Sequence, residues 1–121
     1  MRQTLTVLYA TPNWRLINLA TRASVHSSVG KSLATAPDRA MAVSVPFLRF
    51  CGLAIGGWLM ARAADVAAQR LVAGAKDREF FEAKLATADF YASQVLPQVL
   101  ALEHVCTQGS DAVSGIDSSL I

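Results

Sequence analysis

The sequence has little of what most catalytic and nucleic-acid-binding proteins require. Of its 121 residues, only 17% are charged and 7% are aromatic, and there are two cysteines. The basic residues are scattered, with no run and little aromatic interleaving, which disfavours a nucleic-acid-binding surface. The scarcity of aromatics beside abundant alanine favours helix over sheet. The length allows one domain with a modest core.

Two cysteines at unrelated positions do not make a disulfide framework. Cys51 and Cys106 each lie within an apolar pattern of helical spacing, and we interpret them as buried free thiols. Free thiols are typical of a reducing compartment. Residues 1–12 also lack the apolar core of a secretory signal. We therefore expect a cytoplasmic protein.

No uninterrupted apolar run has the length of a membrane span. Residues 41–61 are largely apolar, but Pro46 interrupts them and Arg49 lies near their centre. A span needs about 20 apolar residues, and an arginine at mid-membrane costs about 2.5–3.5 kcal/mol. A membrane-associated helix over residues 41–61 is the alternative to a soluble one.

The longest apolar block predicts a helix over residues 45–73. Pro46 suits a first helical position and Gly74 a C-terminal one. One apolar stripe has spacings of three and four: Leu48, Cys51, Ile55, Trp58 and Leu59. A second face has small residues: Gly52, Gly56, Ala63 and Ala67. Since each glycine within a helix costs about 1 kcal/mol relative to alanine, this face predicts the close approach of another helix backbone.

A second strong helix is predicted over residues 77–108, with Asp77 as its N-cap and Gly109 as its stop. Its apolar residues recur in a nearly ideal heptad pattern: Phe81, Leu85, Ala88, Ala92, Val95, Val99 and Leu102. Pro97 removes one backbone hydrogen bond and predicts a kink near Ser93.

A weaker helix is predicted over residues 18–35. Its thin stripe consists of Leu19, Val25, Val29 and Leu33. The residue before Pro37 is biased away from helical geometry, so the helix ends there. Asp38 then caps a short turn that runs to Ala42.

Together these segments predict an all-α fold. The short turn over residues 74–76 makes the two strong helices an antiparallel hairpin, and the weaker helix completes a small antiparallel helical bundle. We expect residues 1–17 to form a poorly ordered arm, residues 18–109 the helical domain, and residues 110–121 a flexible tail. Three helices leave apolar surface uncovered, which predicts a partner or a second copy of the chain.

The potential nucleophile and phosphate sites are incomplete. His26 lies near Ser24, Ser27 and Ser28, but no carboxylate or elbow motif accompanies them, so we expect a solvent-facing histidine. Gly30, Lys31 and Ser32 resemble the end of a phosphate-binding loop. That motif fails because its first glycine is replaced by Val25.

The acidic residues also make no catalytic set. Glu79 and Glu82 are expected to be solvated acids of a first helical turn. Glu103 and His104 are adjacent, so on a helix they point about 100° apart and form no dyad. His104 has no second ligand at metal-binding spacing.

Two arginines of the central helix have expected structural partners. Arg62 is expected to pair with Asp65. Arg49 is expected to pair with an acid of a neighbouring helix, or with an anionic group of a ligand or partner. We assign no catalytic, cofactor-binding or metal-binding residue.

Residues 46–64 (PFLRFCGLAIGGWLMARAA) and 80–98 (FFEAKLATADFYASQVLPQ) resemble a known helix pair. It is the C-terminal helical domain that follows the dehydrogenase body in one branch of the acyl-CoA dehydrogenases. The matching residues are Leu48, Gly52, Gly57, Trp58, Ala61, Ala64, Lys84, Phe90, Tyr91, Leu96 and Pro97. The resemblance covers residues 18–109.

The resemblance implies an FAD-dependent oxidoreductase family of fatty acid metabolism. In that family the preceding domains bind FAD and the acyl-CoA thioester, and they supply a catalytic glutamate. None of those residues has a counterpart here, so we expect this chain alone to bind no flavin and to be non-catalytic.

We therefore expect a helical packing or assembly domain of an acyl-CoA dehydrogenase-like flavoenzyme, present as a fragment or a split subunit. Its expected partner is a dehydrogenase body or a second subunit. Residues 1–17 fall outside the resemblance, which indicates a displaced start or a frameshift as alternatives to a true start at Met1. The alternative function is a small self-associating helical protein, with residues 41–61 as a membrane-associated segment.

Overall fold

Helices, with no strand, make up the part of the chain that the computed structural model describes, which is residues 12–116 and residue 119. Side chains are described from residue 22 onward, residue 114 excepted. The helices are α1 (Pro12–Thr35), α2 (Pro37–Ala42), α3 (Ser44–Val72), α4 (Arg78–Phe90), a π-helical turn (Tyr91–Val95) and α5 (Gln98–Ser114). The prediction of an all-α bundle is confirmed.

The first helix is longer than the sequence pattern predicts. It begins at Pro12 instead of residue 18, and a proline at the first helical position loses no hydrogen bond because that N–H has no partner within the helix. Residues 12–17, expected in the arm, are therefore helical, while residues 1–11 lie outside the described residues. Of the predicted stripe, Val25 and Val29 are buried and Leu33 is exposed.

Helix α2 begins without the predicted cap. Ala36 occupies the N-cap position, Pro37 follows it, and Asp38 lies in the first turn with no side-chain bond at the cap. The prediction that Asp38 caps this segment is wrong, because Pro37 already fixes the geometry of the first helical residue. Asp38 still lies where an acid suits the helix dipole.

The end of α3 is closed by a glycine, as predicted. Gly74 has a φ of 74°, which a residue with a side chain rarely adopts. Its N–H donates to the carbonyl of Leu71 over 3.2 Å, and the N–H of Ala75 donates to the carbonyl of Arg70 over 3.0 Å. This pair of bonds is the Schellman motif. The chain then turns into α4, which packs along α3 as the predicted hairpin.

The kink that Pro97 predicts is present as a π-helical turn. Pro97 has no N–H to continue the α-helical ladder, and the N–H of Leu96 donates to the carbonyl of Tyr91, five residues back, over 2.8 Å. The segment predicted as one helix is thus two helices, α4 and α5, joined at residues 91–97.

The predicted stop at Gly109 is wrong, and the tail that was predicted to be flexible from Ser110 onward begins as helix. Helix α5 continues to Ser114, and Ser110 is buried. Packing explains the extension, since α5 contacts α1, α2 and α3, and Asp111 forms an ion pair with Arg39 of α2 at 3.1 Å. Tertiary contacts of this kind outweigh the roughly 1 kcal/mol that a glycine costs within a helix.

The core is formed around α5. It consists of Val25, Val29, Val43, Phe50, Leu96, Val99 and Cys106. The heptad stripe predicted along α4 and α5 is buried or half-buried at every position, which confirms its role in packing.

Candidate functional site: the exposed face of α3

Helix α3 buries a different side from the one its large residues mark. Its buried residues are Phe50, Ala54, Gly57, Ala64, Ala67, Ala68 and Leu71. These are mostly small, which lets the neighbouring helices approach closely. Of the stripe predicted from the sequence, Cys51 is half-buried, while the other four residues are exposed: Leu48, Ile55, Trp58 and Leu59. The spacing of the alanines was the signal that could have identified the buried side.

The exposed side of α3 carries a long apolar row with a heptad spacing. We call this row the α3 seam, and it consists of Val45, Leu48, Gly52, Ile55, Leu59 and Val66. Leu48 is 73% exposed and Leu59 is 50% exposed. With a rise of about 1.5 Å per residue, the seam is roughly 32 Å long. Such a contiguous exposed apolar surface is typical of an interaction site.

The glycines of α3 differ in what surrounds them. A Cβ at Gly52 would meet nothing within 4 Å, so the space beside it is open. A Cβ at Gly56 would collide with the hydroxyl of Tyr91. The close approach predicted from the sequence is thus made at Gly56 by a side chain, and within the described residues no backbone fills the space at Gly52.

Two arginines of α3, Arg49 and Arg62, do not make the predicted ion pairs. Arg49 is exposed and donates to the Gln98 side-chain carbonyl over 3.4 Å, so its partner is neutral. Arg62 lies over the Trp58 ring at 5.0 Å, and Asp65 instead accepts a bond from Gln69 at 3.2 Å. Both predictions of a carboxylate partner within the described fold are wrong, because the aromatic ring and the amides are nearer.

The remaining sequence candidates are not brought together into a catalytic set. His26 is exposed and packs edge-on against Phe47, at 5.6 Å between the ring centroids. Ser24 donates a hydrogen bond to the Glu103 carboxylate across α1 and α5. His104 has no described bond to either.

The acids of α4 behave as solvated helix residues. Glu79 is exposed, and Glu82 forms an ion pair with Arg78 at 2.9 Å, one turn away. Over the described ranges, no group of three or more His, Cys, Asp or Glu is placed to hold a metal ion. The assignment of no catalytic, cofactor or metal residue stays a prediction.

Neither cysteine forms a disulfide. Cys106 is buried, and Cys51 is half-buried against the same core. Burial raises the pKa of the Cys106 thiol, and the nearby Cys51 raises it further. A thiol with a raised pKa is a poor nucleophile, so Cys106 is a packing residue.

A groove of about 410 Å³ lies between α1, α2 and the start of α3. Its lining is almost entirely apolar and includes Val29, Leu33, Met41 and Phe47. Ser44 contributes a hydroxyl to this lining, and that hydroxyl already donates a hydrogen bond to the Met41 carbonyl over 2.8 Å. The groove can accommodate apolar groups but has no cation for a phosphate.

Residues 18–117 of the chain match a family described as "Acetyl-CoA dehydrogenase C-terminal like". The chain belongs to this family. The match covers the described residues from 18 to 116 and includes the whole α3 seam.

Two dehydrogenases are similar to this chain. The 3-methylmercaptopropionyl-CoA dehydrogenase of Ruegeria pomeroyi is 40% identical over 95 residues, which are 76% of this chain and 16% of that protein. The broad-specificity linear acyl-CoA dehydrogenase FadE5 of Mycobacterium tuberculosis is 37% identical over 78 residues, 63% of this chain and 13% of that protein. The chain thus spans less than a fifth of either relative. No solved structure matches it.

Acyl-CoA dehydrogenases in general depend on FAD. The groove of this family member does not fit that cofactor, because the FAD pyrophosphate needs cations or free N–H donors. Among the described residues the groove has a single hydroxyl, which is already bonded.

Proposed function

We propose that this chain is a non-catalytic helical domain that packs against the body of an acyl-CoA dehydrogenase. The observation that carries the proposal is the α3 seam, a row of large apolar side chains that are half or more exposed. Membership of a C-terminal dehydrogenase family supports a larger flavoenzyme as the partner. The body would hold FAD and the acyl-CoA, and this domain would complete its surface.

The cytoplasm is the proposed location. The proposal is supported by two cysteines that form no disulfide in the described fold. Fractionation of cells that produce the chain tests it, since recovery in the membrane pellet would contradict it. The division into a domain over residues 18–109 with residues 1–17 and 110–121 outside it stays a prediction, although α1 begins at Pro12 and α5 ends at Ser114.

A chimera tests the packing role. The matched segment of the Ruegeria pomeroyi relative is replaced by the matched residues of this chain, and the product is compared with the intact relative and with a version that ends before the segment. We expect the chimera to keep its flavin, to oxidise 3-methylmercaptopropionyl-CoA and to unfold in one transition. The shortened version should lose stability and flavin, because its own apolar face is uncovered.

Two outcomes would overturn the packing role. The first is a shortened relative that is as stable, flavin-loaded and active as the intact one. The second is a flavin absorption band in the purified chain alone at near-equal stoichiometry, which would mean that this chain itself holds the cofactor.

A second candidate function is a self-associating helical protein at a membrane. It is favoured by one observation, which is that α3 is long and apolar enough to cross a membrane by length and composition. The mass of the chain in solution, and its flotation with lipid vesicles, separate this candidate from the first.

A further inference from the structure

The spacing of the residues along the α3 seam indicates which kind of secondary structure can pack against it. Its residues follow one another at intervals of three and four from Val45 to Leu59. Val66 lies seven residues further on, and Arg62 occupies the position of the same pattern between them. A heptad repeat keeps its apolar row facing a single helix that lies at a shallow angle of about 20°. A globular surface or a sheet would not require this period over roughly six turns.

Gly52 lies within this row where a large residue would separate the two helices. The space beside it is open in the described fold, although glycine weakens a helix interior. In a heptad seam such a position accepts a side chain of the partner and lets the backbones approach. The seam therefore has a hole at Gly52 as well as projecting side chains at Leu48 and Leu59.

The charges beside the seam identify the chemistry of the partner. Arg49 lies on one flank of the seam, Arg62 lies within the row between Leu59 and Val66, and Arg70 lies near the C-terminal end of α3. Within the described residues none of the three forms an ion pair with a carboxylate. Exposed guanidinium groups pair with carboxylates in bidentate geometry. A helix with Asp or Glu beside its apolar row complements this face.

The same charges disfavour a second copy of the chain. An antiparallel pair that seats Leu59 of one copy over Gly52 of the other also places Arg49 opposite Arg62. A parallel pair places each arginine beside its own equivalent. Like charges at such short range are unfavourable. A lipid surface would gain nothing from the hole at Gly52 or from an arginine inside the row.

We propose that the α3 seam docks one amphipathic helix of the dehydrogenase body, with acidic residues flanking its apolar row to pair with Arg49 and Arg62. This proposal rests on the proposed function, since it names the element of the body that the domain contacts. The Gly52 position is the point of closest approach.

Hydroxyl-radical footprinting of the chimera and of the free chain tests the docking. We expect oxidation of Leu59 and Ile55 to be about tenfold slower in the chimera, the ratio that corresponds to about 1.4 kcal/mol of protection. Arg49→Glu with Arg62→Glu should remove the protection. Lys31→Glu with Lys76→Glu is the matched control, since it makes the same charge change at exposed residues off α3 and should keep the protection.

A glycine pair provides a second, uncharged comparison. Gly52→Leu should remove the protection of Leu59, because the leucine fills the hole. Gly30→Leu should keep it, since Gly30 is also an exposed helical glycine with nothing within 4 Å but lies on α1.

The outcomes separate this proposal from the one on which it rests. A flavin-loaded chimera that unfolds in one transition, but with Leu59 as reactive as in the free chain, overturns the helix-docking proposal and leaves the packing role intact. A chimera that loses flavin and unfolds in two transitions overturns both. A free chain that is dimeric, or that floats with vesicles of phosphatidylcholine and phosphatidylglycerol, with Leu59 protected in either state, assigns the seam to a second copy or to a membrane and also overturns docking.

Discussion

The hydroxyl of Tyr91 donates a hydrogen bond to the backbone carbonyl of Leu53 over 2.9 Å. The bond links the π-helical turn to the middle of α3, and the tyrosine ring then lies across Gly56. Since a Cβ at Gly56 would collide with this hydroxyl, the bond and the glycine depend on each other. The bulge that Pro97 forces into the second arm of the hairpin thus places Tyr91 against α3.

A double-mutant cycle tests this dependence. Gly56→Ala should lower the free energy of unfolding by about 1–3 kcal/mol, because overpacking against the ring exceeds the gain in helix propensity. Tyr91→Phe should cost about 1 kcal/mol through the lost hydrogen bond. In the Tyr91→Phe background Gly56→Ala should cost less than in the wild type, since the colliding oxygen is gone. Denaturant unfolding measures all four proteins, and additive effects would contradict the contact.

Gly30 and Gly52, which have open space beside them, give a prediction of the opposite effect on the free energy of unfolding. Gly30→Ala and Gly52→Ala should each raise the free energy of unfolding of the free chain by about 0.5–1 kcal/mol, since each lies in a helix and a Cβ meets nothing within 4 Å. Thermal unfolding of the three proteins checks this. If Gly52→Ala alone were destabilising, the space beside Gly52 would already be occupied in the free chain.

The positions of the helices, and of the kink and the turn between them, could be predicted from the sequence because they depend on residues that are close together in the chain. Pro97 lacks an N–H and kinks its helix whatever surrounds it. Gly74 ends α3 because glycine readily adopts a φ of 74°, which is a property of the residue itself and depends on no distant contact. The end of α5 depends on distant contacts, and its extension past Gly109 follows from packing that no local signal carries.

The face of α3 that is buried depends on its neighbours in the same way. Large residues and small residues both have helical spacing along α3, and hydrophobicity alone favours burial of the large ones. The structure buries the alanines instead, because they fit the close approach of α4 and α5. The candidate site was therefore recognised in the sequence as an apolar stripe but was not assigned to the surface. The arginine partners also could not be predicted, since they depend on which side chains lie nearby.

Two substitutions on opposite sides of α3 test that assignment. Phe50→Ala should lower the free energy of unfolding by about 3–5 kcal/mol, because Phe50 is fully buried. Leu48→Ala should change it by less than about 0.5 kcal/mol in the free chain, because Leu48 is 73% exposed. Where Phe50→Ala does not fold, Phe50→Leu gives a smaller loss of the same sign. A large cost at Leu48 would mean that the seam is covered in the free chain.

The buried thiol of Cys106 gives a dependence of stability on pH. Burial, and then the nearby Cys51, raise the pKa of Cys106 in the folded chain, whereas the unfolded thiol titrates near its ordinary pKa of about 8.5. Below that pH both states hold the proton and the contribution of Cys106 to stability is complete. As the pH rises further, the unfolded chain loses its proton first, so the free energy of unfolding falls until the folded pKa is passed. Unfolding in denaturant should therefore show a level free energy of unfolding from about pH 7 to 8 and a decline from there towards about pH 9, below the range in which a phenol such as Tyr91 titrates.

Cys106→Ala should flatten this decline, because the titrating group is gone. The slope with pH is the quantity to compare, since the variant also loses packing in the core and is less stable at every pH. Cys51→Ala is the matched control, since it removes only the smaller of the two causes and should keep most of the slope. An unchanged slope in Cys106→Ala would show that the thiol does not titrate differently in the folded and unfolded chains. The burial of Cys106 in the core would then make no pH-dependent contribution to stability.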